Sequence, residues 1–360
     1  MAETTHHKGR GALSNPEGRF ETRRKQAEED GWNTPVDDED LPPVETIVRP
    51  DPARSIITRN QSPDIPFSQS INPYKGCEHG CIYCYARPSH AYLNLSPGLD
   101  FETKLFFKEH AAELLDQELR RPGYRPAAIT VGANTDPYQP VERRLEVTRR
   151  ILEVLQRFRH PLSIITKSTL VTRDLDILAD LARRNLVVVM VTITTLDDDL
   201  KRTLEPRAPS AWSRLKAVEA LAKEGVPVGV MTAPIIPMIN DAEMERILEL
   251  AAGAGACGAG YVLLRLPYEL KDLFQEWLKT HYPLKAEHVM SLIRQSRDGK
   301  EYDSGFGTRM RGTGKFADLI AQRFALACKR HKLGFSRRMR LTTEHFRVPS
   351  DAGQMSLWSE

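Results

Sequence analysis

NPYKGCEHGCIYCYARPSH, residues 72–90, gathers three of the chain's five cysteines into eight positions. Cys77, Cys81 and Cys84 follow the spacing C-x3-C-x2-C, which lets one short loop wrap a metal centre. Three thiolates select a soft metal. A structural zinc site wants a fourth protein ligand, usually from a second C-x2-C or a His pair downstream. The sequence offers none: Cys257 and Cys328 stand alone, and His79 and His90 do not extend the spacing into a zinc-finger pattern. An iron–sulfur cube suits the set better, because three thiolates leave one of its four irons open to a non-protein ligand.

Downstream of the motif, short β-branched apolar runs alternate with amphipathic stretches, the pattern of βα units around a parallel sheet. Strands are expected at 127–133, 162–167, 186–194, 226–235 and 261–266, with helical faces at 143–159, 175–184, 211–224 and 242–252. A further strand at 68–73, ahead of the cysteines, brings the total to six βα units. That is too few to close an eight-stranded barrel and enough for an open one, so the expected fold is an α/β partial (β/α)6 TIM-like barrel. Polar residues fall where strands end: Asn134-Thr135-Asp136, Lys167-Ser168, Thr192 with Thr194, and 234–240. A last helix at 315–331 presents Phe316, Leu319, Ile320, Phe324 and Leu326 as its apolar face.

Composition narrows the class. With 41% hydrophobic and 28% charged residues among 360, the chain reads as globular, and no apolar run reaches the length of a membrane helix. The N-terminus lacks the apolar core of a secretory signal, and an odd number of cysteines is no disulfide framework, so a reducing, cytoplasmic location is expected. The net charge of +3 hides an uneven distribution. Eight acids and no Lys or Arg lie between Glu28 and Glu45, whereas Arg309 to Arg347 holds eleven basic residues, with Lys329, Arg330, Lys332, Arg337, Arg338 and Arg340 clustered. The first pattern reads as disorder, the second as a candidate polyanion footprint. The expected organisation is a disordered extension at 1–45, in which Gly9-Arg10-Gly11 is a candidate partner contact, a barrel at 46–270, a basic helical extension at 271–347 and a tail at 348–360.

CEHGCIYCY resembles the signature of the radical S-adenosylmethionine (radical SAM) superfamily, C-x3-C-x-aromatic-C. The resemblance implies that Cys77, Cys81 and Cys84 ligate a 4Fe–4S cluster whose fourth iron binds S-adenosylmethionine, and that Tyr83 packs near the adenine. It implies reductive cleavage of S-adenosylmethionine to a 5'-deoxyadenosyl radical that abstracts hydrogen from a substrate, with electrons from a flavodoxin- or ferredoxin-type donor. The cysteine motif, Asn-Thr-Asp at 134–136 and EPRAPSAWSRLKAVEALAKEGVPVGVMTAPI at 205–235 are similar to spore photoproduct lyase and its uncharacterised bacterial relatives. By that likeness Thr135 and Asp136 sit beside the methionine moiety, Lys167 and Ser168 offer its carboxylate a cation and a hydroxyl, and Thr192 and Thr194 approach the ribose. Nucleic-acid bases and DNA repair are the implied substrate class. One position departs: the lyases carry a hydrogen-donating cysteine where Ala133 stands, so the usual lyase reaction is not expected unless Cys257 or a tyrosine substitutes.

Other readings stay open on the residues alone. A nucleic-acid-binding protein with a structural metal, or the same radical chemistry on a peptide or small molecule, would use the same cysteines. Cys257 and Cys328 read as packed thiols, Glu142 as a cap for the following helix, and Glu205 with Arg207 equally as a local ion pair or as a contact to substrate or cofactor. Phe335 and Phe346, among the arginines of the tail, are stacking candidates.

Overall fold

The computed structural model describes residues 8–20, 44–334 and 339–350. The strands are β1 (Ile47–Pro50), β2 (Thr58–Arg59), β3 (Gln69–Ile71), β4 (Tyr74–Lys75), β5 (Lys104–Phe107), β6 (Ile129–Val131), β7 (Leu162–Thr166), β8 (Val187–Thr192), β9 (Val228–Ile235) and β10 (Gly258–Leu263). A seven-stranded sheet runs β10-β9-β8-β7-β6-β3-β2, in which β3 and β6 to β10 are parallel and β2 closes the edge antiparallel. Six parallel strands with helical crossovers are the partial barrel expected. A separate sheet, β1-β5-β4, flanks the cysteine loop.

Side-chain parity sorts the two faces of the sheet. Ile129, Val131, Leu162, Ile164, Val189, Val191, Val228 and Val230 are buried against the helices. Their outer partners include Ile151 and Leu155 of Val147–Arg157, Leu178 and Leu181 of Leu175–Ala182, and Val218 and Leu221 of Ala211–Lys223. The opposite parity faces the lumen. The register Thr166↔Val191 brings Lys167 level with Thr192 at the rim, since parallel strands keep a constant offset.

Methionines and glycines interlock within the sheet. A Cβ on Gly229 would meet Met190 Sδ at 2.7 Å, and one on Gly260 would meet Met231 Sδ at 2.7 Å. These contacts explain why β10 begins at Gly258 rather than at residue 261: glycines in a strand mark close approach. The shift leaves Leu264, Arg265 and Leu266 outside the strand, on the loop at the mouth.

Beyond the barrel lie helices Leu270–His281, Ala286–Gln295 and Gly314–His331. On the last, Ile320 is buried and Phe316 and Phe324 pack on the core, but Leu319 and Leu326 face solvent. Gly334 and residues 339–350 lie beneath the barrel, along the strand starts. Gly334 N donates to Cys257 O at 3.2 Å, Thr342 N to Asn185 O at 3.2 Å and Arg347 N to Phe158 O at 3.0 Å, while Met339 sits against Gly258. Phe346 is consumed in an aromatic cluster with Tyr124, Phe158 and His160, so it is no stacking platform for bases. Phe335, Arg337 and Arg338 lie outside the described residues, as do 21–43.

The expectation of a disordered extension fails for residues 8–20. Arg10, Gly11, Ala12 and Leu13 are buried, and Ser14 Oγ donates to Glu276 Oε2 at 2.7 Å. Low periodicity concealed them because the segment is fixed by polar contacts to distant chain, not by a hydrophobic stripe of its own. Arg10 and Gly11 are thus internal contacts, while Gly9 is exposed. Among the described residues, no helix is long and apolar enough to cross a membrane.

Candidate cluster and cofactor site

The cysteine loop follows β4 and precedes the helical turn Arg87–Leu93. It is built by backbone hydrogen bonds: Cys77 N donates to Phe101 O at 2.9 Å, Ile82 N to Leu204 O at 3.1 Å and Cys84 N to Cys81 O at 3.2 Å. Arg87 fastens it from within. Fully buried, it donates to Cys81 O at 2.9 Å, Gly80 O at 3.0 Å, Pro97 O at 3.1 Å and Gly98 O at 2.9 Å, and its Nη2 pairs with Glu102. Glu102 in turn accepts the amides of Gly11 at 3.0 Å and Ala12 at 2.9 Å. A Cβ on Gly11 would stand 1.9 Å from Gly80 O, so two glycine backbones meet where no side chain fits. The N-terminal segment is therefore the outer wall of the loop.

Cys77 and Cys81 are buried, Cys84 is partly so, and none is in a disulfide. Burial pushes the Cys77 thiol well up, aided by the negative charge of Asp136 and by Cys81 and Cys84. Burial and Glu205 push Cys81 up to about 12, against the pull of Lys167. Such thiols ionise only when positive charge arrives beside them, and metal coordination deprotonates them outright. Among the described residues no three His, Cys, Asp or Glu side chains could hold one metal ion. A cube spreads its ligands over separate irons, one thiolate each, and three thiols on one loop, two of them buried, fit it.

Around this loop the strand-end residues divide by partner. Asp136 Oδ1 accepts Thr166 Oγ1 at 2.7 Å and Tyr138 N at 2.9 Å, and Oδ2 accepts Lys167 N at 2.7 Å. His79 Nδ1 lies 3.4 Å from Oδ2, near enough for charge pairing without hydrogen-bond alignment. Burial opposes the charge of Asp136, yet His79 and these donors hold its carboxyl at about 2. Thr135 Oγ1 donates to Tyr74 O at 2.7 Å, and Ser168 Oγ caps the following turn by accepting Leu170 N at 3.2 Å. These three side chains are committed to the protein's own loops.

Lys167 differs. Among the described residues its ammonium has no carboxylate at ion-pair distance; it stands 5.6 Å from the centroid of the Tyr83 ring. Burial lowers its pKa, but Cys81, Glu205 and Asp136 outweigh that and the net shift is upward. Thr194 Oγ1 donates to Glu205 Oε1 at 2.7 Å, with the Tyr83 hydroxyl bonded to the same oxygen. Thr192 contributes its carbonyl to Arg214 Nη1 at 2.9 Å.

Glu205 pairs with Arg214, not with Arg207 as the sequence suggested; Arg207 reaches Glu78 at 3.3 Å instead. Burial opposes the charge of Glu205, and Arg214, Lys167 and the Tyr83 hydroxyl bring its carboxyl down to about 2. This buried Tyr83–Glu205–Arg214 chain was not legible in sequence, because the partners sit on different elements with nothing at helical spacing to link them. Glu142 does cap the helix Val147–Arg157, accepting Thr148 N at 3.0 Å. Cys257 lies at the start of β10, its Sγ donating to Val228 O at 3.4 Å, at the opposite end of the strands from the cysteine loop. Tyr85 instead reaches the mouth: its hydroxyl bonds the carbonyl of Ala133 and its ring faces Arg265, 5.3 Å away. One side chain thus touches the loops after β6 and after β10.

The family model of the Radical SAM superfamily matches residues 71–251. An uncharacterized protein of Mycobacterium tuberculosis is 37% identical over 233 residues, covering 64% of this chain and 68% of the relative. An uncharacterized protein of Methanocaldococcus jannaschii is 32% identical over 173 residues, 48% of this chain and 62% of that one. Among solved structures, spore photoproduct lyase complexed with dinucleoside spore photoproduct aligns with a TM-score of 0.56 at 14% identity, covering 79% of each chain. That likeness is one of fold.

Proposed function

The chain belongs to the radical SAM superfamily, an enzyme family that uses a 4Fe–4S cluster and S-adenosylmethionine, and from that premise we propose hydrogen abstraction from a nucleotide-class substrate bound at the barrel mouth. When bound, the reduced cluster supplies one electron for cleavage of the sulfonium, and the protein's task is to bind, orient and exclude water. Cys77, Cys81 and Cys84 would hold the cluster. Lys167, a strand-end cation that among the described residues has no carboxylate at ion-pair distance, would take the carboxylate of S-adenosylmethionine. Tyr83 would flank the adenine, with its hydroxyl anchored by Glu205, and Thr192 and Thr194 would border the ribose side of the lumen. Thr135, Asp136 and Ser168 serve as positioning residues, because their polar atoms already have protein partners.

The observation that carries this reading is the convergence of two buried thiols and a third partly buried one near a lysine that among the described residues has no carboxylate at ion-pair distance, at the rim of a parallel six-stranded barrel. A flavodoxin- or ferredoxin-type protein is the proposed electron donor. Substrate approach is assigned to the mouth and not to the basic tail. Of the tail's arginines, Arg309 pairs with Asp64 and Arg323 with Glu245, and residues 339–350 lie along the barrel's floor. Repair of a thymine dimer in the photoproduct-lyase manner is not proposed, since Ala133 has no thiol and Cys257 lies at the floor.

The test is anaerobic reconstitution with iron and sulfide, followed by dithionite and S-adenosylmethionine. Production of 5'-deoxyadenosine above a cluster-free control supports the reading. A loaded cluster without cleavage, with or without oligonucleotide, overturns it.

A further inference from the structure

Arg265 stands on the loop after β10, one ring away from the cysteine motif. Its guanidinium faces Tyr85, the residue directly after Cys84, at 5.3 Å. Its Nε is sealed from solvent and has no hydrogen-bond partner. Its Nη1 donates only to the sulfur of Met310, at 3.4 Å, and thioethers are weak acceptors. Among the described residues no carboxylate pairs with it. A second cation, Arg297, is close enough for the two charges to repel: its pKa is lowered by burial first and then by Arg265. Arg297 spends its donors on backbone carbonyls, Leu264 O at 2.9 Å, Thr308 O at 3.0 Å and Arg309 O at 2.8 Å, and so offers Arg265 no compensation.

The contrast with the buried arginines is direct. Arg87 has Glu102 and Arg214 has Glu205, and Arg10 and Arg297 spend their donors on backbone carbonyls, so each has the partners that buried charges usually require; Arg265 has neither. Arginine cannot shed its proton to escape the cost. A half-buried guanidinium left without an acid, at the mouth of the barrel and beside a second cation, is built for an anion that arrives from outside.

We propose that Arg265 is an oxyanion-binding group at the barrel mouth, and that its ligand is a phosphate of the substrate. The planar fork of the guanidinium matches phosphate oxygens two at a time. Lys167, across the lumen beside Tyr83, is already assigned to a carboxylate. This inference rests on the nucleotide-class reading and adds where the nucleotide's charge is held. Tyr85 then has a positional role: it fixes the guanidinium over the mouth while its hydroxyl holds the loop after β6.

The experiment uses the full chain, reconstituted without oxygen and saturated with S-adenosylmethionine. Inorganic phosphate, the dinucleotide thymidylyl-3',5'-thymidine and glutarate are each titrated by calorimetry against chloride at equal ionic strength. Wild type is expected to bind phosphate and the dinucleotide. Arg265→Met is expected to bind both about tenfold more weakly or worse, and Arg265→Lys to fall between, because an ammonium lacks the fork. Lys329→Met, on the exposed end of the last helix, is expected to bind as wild type does. Equal phosphate affinity in wild type and Arg265→Met overturns the proposal, as does wild type that binds glutarate but not phosphate. Should Arg265→Met lose its far-UV spectrum, Arg265→Gln replaces it with the same expectation. Failure here with intact 5'-deoxyadenosine production removes the anion site alone, whereas absence of that product removes the underlying reading.

Discussion

Arg87 and Glu102 form an ion pair in which neither side chain reaches solvent. The pair links the backbone of two cysteine-loop residues, Gly80 and Cys81, to the amides of Gly11 and Ala12. Removing one partner of such a pair leaves a buried charge uncompensated and costs about 3–5 kcal/mol. Arg87→Met should therefore shift the denaturation midpoint strongly downward and leave the chain with less iron after reconstitution. Unchanged iron and midpoint would remove the pair from the architecture of the loop.

The clasp at Gly11 gives a second test, because substituting a glycine removes no charged side chain. Gly11→Val drives a side chain into Gly80 O, which a Cβ would already meet at 1.9 Å. The variant should load less iron per chain and lose its brown absorbance faster in air than wild type. Gly253→Ala, where nothing lies within 4 Å, should behave as wild type. Equal bleaching rates in all three proteins would show that the clasp does not shield the loop.

Lys167→Met should leave cluster absorbance intact and weaken S-adenosylmethionine binding about tenfold or more, the loss expected for a charge-assisted bond. Lys167→Arg should recover part of it. Calorimetric titration of the reconstituted protein reads both. An affinity indifferent to the lysine would move the carboxylate elsewhere.

His160 makes a prediction about acid. Burial pushes its pKa down from 6.5 to about 4, opposed by the Pro161 carbonyl. The contacts, Nδ1 with Pro161 O at 2.9 Å and Nε2 with Tyr124 Oη at 2.8 Å, suit a neutral ring that donates at one nitrogen and accepts at the other. The folded state resists a proton that the unfolded chain takes below about 6.5, so this group leaves stability level above that pH. Stability then falls by up to about 1.4 kcal/mol per pH unit as pH drops toward 4, and levels again below it. Urea denaturation of the cluster-free protein at pH 7.5, 6 and 5 should show the decline, and His160→Gln should flatten it. Parallel slopes in the two proteins would contradict the burial argument.

What the sequence revealed, and what it withheld, follows from the range of the contacts. The barrel was legible because runs such as Leu162–Thr166 and Val187–Thr192 carry β-branched residues over a span no amphipathic helix would use. The cysteine loop was legible because its ligands are local. The start of β10 was misplaced because Gly258 and Gly260 read as loop, and only the methionines packed on them explain glycine in a strand. Glu205 was assigned the wrong arginine because Arg207 is nearer in sequence while Arg214, one helix on, is nearer in space. The strap at 8–20, buried at 10–13, and the orphaned Arg265 depend wholly on partners distant along the chain, where local pattern carries no information.

The strap also orders events in time. Ser14 meets Glu276 and Arg19 meets Glu269, contacts that span 262 and 250 residues of chain. Long closures are slow, and they cannot begin until both ends exist. During synthesis the cysteines leave the ribosome well before the helix Leu270–His281 that pins their cover. The wall at 8–20 therefore gains its contacts to Glu269 and Glu276 only once that helix exists. A cluster entering the loop before then would meet a wall not yet pinned at its far end, so the yield of loaded protein from a cell should respond to how fast the chain is made as well as to how much iron is supplied.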